Sequence, residues 1–166
     1  MNTNYLILLF FLFTFTACND SDEGSKGESN LLIDVADIDS FNKETGEITF
    51  KNMSAEEINK CWKQSSTLAF YIDGSTILES VSLLAVSSSF VHNDLVLVMD
   101  GTNLFLLDGY PSLDVLGSNK SEAEQLRKEN SNKRSANWNK FIDYLQDTGK
   151  IIEPSTTVVK SRFMQD

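Results

Sequence analysis

The chain has little of what catalysis or cross-linking usually requires. It holds two cysteines, one histidine and two prolines in 166 residues. With His92 as its one histidine, the chain cannot supply a two-histidine metal site. It contains no Gly-x-Ser-x-Gly elbow, no P-loop, no His-Glu-x-x-His and no Gly-x-Gly-x-x-Gly. Basic residues are scarce: 14 Lys and Arg stand against 24 Asp and Glu, for a formal net charge of -10 and a pI near 4.5. That balance argues against a basic footprint for nucleic acid or anionic headgroups and reads as a solvated acidic surface. Apolar residues are plentiful, at 41% with 10% aromatics, so a packed domain is expected rather than a disordered chain.

The most distinctive run stands at the start. Tyr5 to Ala17, Tyr-Leu-Ile-Leu-Leu-Phe-Phe-Leu-Phe-Thr-Phe-Thr-Ala, is too short to cross a bilayer core of ~30 Å as a mature helix. Its length suits the apolar region of an export signal, although Met1 to Asn4 carry no Lys or Arg. It ends in Phe15-Thr16-Ala17-Cys18, which resembles the lipobox of bacterial lipoproteins, with Phe15 where Leu is commoner. The resemblance implies cleavage before Cys18, lipid on that cysteine and attachment to a membrane. Residues 19–30 contain no apolar side chain and read as a flexible tether. Asp20, Asp22 and Glu23 resemble the acidic export tag of Bacteroidota surface lipoproteins, which implies display on the outer face of the outer membrane. The expected layout is therefore a signal over 1–17, a lipidated Cys18 and tether over 18–30, and one globular domain over 31–166. Lipid on Cys18 would leave Cys61 without a partner, so the domain must fold without disulfides. Helical spacing sets Cys61 beside Ile58 and Trp62, facing inward.

Within the domain the pattern is strand-like first and helical later. Leu31 to Ile38 is rich in branched residues and is expected to form a hairpin with Ile48-Thr49-Phe50. Ser54 followed by Glu57 is a capping-box signature and starts a short helix reaching Trp62. Asp73-Gly74 joins Leu68–Ile72 to a strand returning from Ile77, and Asp100 to Asn103 joins two strongly apolar runs. Leu78 to Val91 has no clean period and reads either as one long bent strand or as two strands joined near Ser87 to Ser89. Ser121 to Glu124 carries a second capping box, and Asn130 to Arg134 is wholly polar. Trp138, Phe141, Ile142 and Leu145 form an amphipathic stripe that Gly149 should cap, and a last strand is expected over Thr156–Val159. The fold class is α+β: a mostly antiparallel sheet of hairpins, one major helix packed on a face, and a short N-terminal helix.

No constellation rises to a catalytic or cofactor assignment. Asp34, Asp37, Asp39, Asn42 and Glu47 offer oxygen ligands but lack calcium-loop spacing, since Phe41 stands where a ligand would fall. They read as a charged strand edge, and no metal is expected. Cys61 and His92 have no local motif that marks a thiol nucleophile. Aromatics outside the stripe are candidates for stacking on a sugar or gripping a protein: Tyr110 in its Asp-Gly-Tyr-Pro turn, Tyr71 and Trp62. The reading is a membrane-anchored, non-catalytic binding domain with a protein or glycan partner. The alternatives are a small envelope hydrolase using paired carboxylates and an accessory subunit of an envelope complex.

Overall fold

A computed structural model describes residues 31–62 and 67–152, without the side chains of Cys61 and Trp62. Cys18, the tether, the strand expected at Thr156–Val159 and the burial of Cys61 lie outside the described residues. The elements run β1 (Leu31–Asp34), β2 (Ile38–Asn42), β3 (Glu47–Phe50), α1 (Ala55–Trp62), β4 (Thr67–Ile72), β5 (Ser75–Ala85), β6 (His92–Asp100), β7 (Asn103–Tyr110), α2 (Lys120–Asp147) and β8 (Ile151–Ile152). All eight strands belong to one mixed sheet, in the order β1-β4-β5-β6-β7-β3-β2-β8. Antiparallel pairs outnumber parallel ones, and α2 is the main helix, so the fold is α+β.

The turns follow their chemistry. Asp73 and Gly74 both have positive φ, 49° and 75°, as a two-residue hairpin turn of this hand demands. Asn42 Oδ1 accepts from the amides of Glu44 and Thr45 and starts the β2–β3 turn. That turn ends on Gly46 (φ 75°), where a Cβ would lie 2.6 Å from the carbonyl oxygen of Leu106. Ser54 and Glu57 bond reciprocally at the start of α1.

The N-terminal run departs from the expected single strand. Only β2 forms a hairpin with β3, whereas β1 pairs in parallel with β4 at the opposite end of the sheet order. The cause is a 3-10 turn at Val35–Asp37, whose first amide to need a partner, Ala36 N–H, is taken by the Asp34 carboxylate at 2.8 Å. Three residues thus connect strands that are six neighbours apart. A flat sheet would separate them by about 29 Å, at ~4.8 Å per strand, but the link spans at most about 14 Å. The sheet must therefore roll until its ends approach, with β1 and β2 acting as two halves of one kinked closing strand.

Phe141 of α2 reports the same curvature. Its ring centroid lies 5.8 Å from that of Phe41 on β2 and 5.6 Å from that of Phe70 on β4. Those strands are five neighbours apart in the sheet order. The C-terminal half of α2 therefore fills the hollow of the rolled sheet, where Phe141 and Leu145 are fully buried with Val35, Ile38, Leu68 and Val81. The expected stripe of Trp138, Phe141, Ile142 and Leu145 is this contact. Gly149 (φ 68°) ends the helix, and the Lys150 amide donates back to the Leu145 carbonyl at 2.8 Å.

The capping box expected at Ser121 does not form. Two 3-10 turns, Leu113–Val115 and Gly117–Asn119, lead straight into α2, whose N-cap Asn119 is already in helical conformation and makes no side-chain cap bond. Ser121 therefore lies inside the first turn of the helix. The polar stretch Asn130 to Arg134 does not interrupt α2, which runs as one helix of 28 residues.

Candidate functional site

The polar half of α2 faces the sheet as its apolar half does. Ala123 and Arg127 are buried, and Asn130, Arg134 and Trp138 are half-buried at the helical spacing that continues into Phe141. Each polar member has a strand-end partner. Arg127 Nε donates to Asn93 Oδ1 at 3.3 Å and its Nη2 to the Pro111 carbonyl at 2.7 Å. Asn130 Nδ2 donates to the Asn93 carbonyl at 2.8 Å. Arg134 joins Asp94 at the start of β6 to Asp108 near the end of β7. Burial pushes the Arg127 guanidinium below its ordinary pKa, and the charge of Asp108 opposes that shift. The group is a tie between helix and sheet, with its donors directed at protein acceptors.

Beside this tie, residues 86–91 carry the chain from the end of β5 back to the start of β6, so that the two strands lie parallel. A parallel connection commonly takes a dozen residues or more. Here six make the connection, opening with a turn at Val86–Ser87. The long, aperiodic stretch of the sequence thus resolves into one strand, β5, bent at Ser80 (φ 54°), followed by this crossover. The register of β4 on β5 shifts at the same place. The crossover is tied at its start: the Val86 amide donates to the Met99 carbonyl at 3.0 Å, and the Ser88 amide to the Ala85 carbonyl at 2.9 Å. The Tyr110 hydroxyl donates to the Val86 carbonyl. Its ring packs against a second apolar cluster of Leu84, Val96, Val98 and Phe105.

The crossover exposes three apolar residues beside the exposed Ser87 and Ser89. Phe90 is 74% exposed, Val91 45% and Val86 40%. A phenylalanine on a solvated loop gains nothing from burial within its own domain, so three such residues within six positions stand out from ordinary surface composition.

The aromatics singled out in the sequence have separate places. Tyr110 is half-buried at the end of β7, where it holds the crossover and pairs in register with His92. Tyr71, also half-buried, stands opposite Asp34 in register; burial pushes its phenol pKa up, and Asp34 and Asp37 push it further. Trp62 ends α1, and its ring lies outside the described residues. Tyr71 and Tyr110 lie on β4 and β7, with β5 and β6 between them. Phe90 and Val91 were missed by the periodicity argument. Their signal was an aromatic placed just after Ser87-Ser88-Ser89, between two strands rather than within one.

Of the acidic residues near the N-terminus, Asp34 is engaged locally. Asp34 caps the 3-10 turn, and the carbonyls of that turn attract two lysines. Lys150 Nζ donates to Val35 O at 3.0 Å and Ala36 O at 2.8 Å, and Lys51 Nζ to Ala36 O at 3.0 Å. Lys150 is buried, with its ammonium 5.6 Å from the centre of the Tyr144 ring. Burial pushes its pKa down and Lys51 adds to the effect, against the opposing charges of Asp34, Asp37 and Asp39. Among the described residues, no three His, Cys, Asp or Glu side chains converge as metal ligands.

Ile58, Leu83, Leu84, Leu97, Met99 and Leu104 line a shallow apolar recess too tight to admit a water molecule. It therefore offers no room for a ligand, and its lining brings no titratable group to a substrate. Among the described residues no helix is long and apolar enough to cross a membrane. No protein-family model, curated protein or solved structure matches the chain.

Proposed function

We propose that this chain is a lipid-anchored binding domain of the bacterial cell envelope, non-catalytic and displayed on the outer face of the outer membrane. The observation that carries the binding role is the exposure of three apolar residues on the crossover, Val86, Phe90 and Val91, the first of which is fixed to the sheet through the Tyr110 hydroxyl and its own amide. Anchoring at Val86 lowers the ordering that association costs, which favours contact with a partner. Attachment rests on the lipobox-like Phe15-Thr16-Ala17-Cys18, and outward display on Asp20, Asp22 and Glu23. The partner is a protein or a glycan with an apolar contact face, and neither nucleic acid nor a cofactor is involved.

Two measurements test the two halves of this reading. For attachment, wild type and Cys18→Ser are compared by membrane fractionation and palmitate labelling in the producing cell. Labelled, membrane-bound wild type beside soluble, unlabelled variant is expected; an unlabelled wild type would overturn the anchor. For binding, a photo-crosslinking amino acid replaces Phe90 in the full chain on intact cells. A discrete adduct at position 90, absent when the same probe stands at exposed Lys43, is expected. If positions 90 and 43 give the same adducts, the crossover is not a binding edge.

A further inference from the structure

We draw no further inference here: the strongest candidate, the exposed apolar patch of Val86, Phe90 and Val91 on the crossover between β5 and β6, already carries the binding role proposed above, and nothing in the structure shows what covers it.

Discussion

The guanidinium of Arg127 lies against the backbone of Gly109, so close that a Cβ on that glycine would stand 2.6 Å from Cζ and 2.7 Å from Cδ of the arginine. Gly109 also has a φ of 90°, which L side chains rarely adopt. Both constraints act on one substitution. Gly109→Ala should destabilise the domain by roughly 2–3 kcal/mol through backbone strain and displacement of Arg127. Arg127→Met should cost about 1–3 kcal/mol by stranding the acceptors of Asn93 and Pro111. Because the two residues touch, urea unfolding of the double variant should show less than the sum of the two losses. Strict additivity would mean that the contact carries no energy.

Phe141 is the residue on which the rolled sheet closes. Phe141→Ala removes a fully buried ring that meets Phe41, Phe70 and Trp138, and should cost about 3–5 kcal/mol. Near-ultraviolet circular dichroism should weaken together with the urea midpoint, because Trp138 stacks on that ring with centroids 5.4 Å apart.

Lys150 ties the kink between β1 and β2 to the end of α2. Lys150→Met leaves the Val35 carbonyl without that donor and should lower stability by about 1–3 kcal/mol. Hydrogen exchange should quicken first at the amides of β1 and of Val35 to Asp37, ahead of β6 and β7. Uniform quickening across the sheet would contradict the assignment of Lys150 to this one joint.

The same lysine sets a pH dependence with a definite sign. Its folded pKa lies below the ordinary value of 10.5, so between the two values the unfolded chain binds the proton more tightly. The contribution is unfavourable at neutral pH and is relieved as pH rises through the folded value towards 10.5. Thermal melts of wild type minus Lys150→Gln should therefore move in favour of wild type over that interval. A difference that stays flat would show that Lys150 is not held in a desolvated place.

Phe90→Ser should leave stability within about 0.5 kcal/mol of wild type, since the ring is mostly exposed. Loss of partner capture with an unchanged melting curve would separate the binding edge from the core.

What was legible in the sequence is what local chemistry decides. Asp73-Gly74, set between two apolar runs, supplies the positive φ that a two-residue turn needs. Trp138, Phe141, Ile142 and Leu145 mark a buried helix face by spacing alone, and Gly149 needs only its own backbone freedom to end it. The kink at Val35–Asp37 was hidden because Val35 and Ile38 are as branched and as buried as a continuous strand would require. Nothing local tells Leu31 that Leu68, rather than a residue of β3, is its neighbour. The polar half of α2 was equally opaque: Arg127 and Asn130 look like solvated helix positions until Asn93 and Pro111 are placed opposite them. Tyr110 suggested a ligand contact from its turn setting, yet its hydroxyl is engaged by the Val86 carbonyl, a partner set by the path of the crossover.

The kinked closing strand also orders events in time. Among the described residues β1 is paired only by β4, and β2 joins the sheet through β3, which in turn lies on β7. A chain released amino end first therefore exposes its closing strand long before either flank exists to receive it. Contacts so distant along the chain fold slowly and leave unpaired edges open in the interval. Such a chain gains from being kept unfolded until nearly all of it has been synthesised.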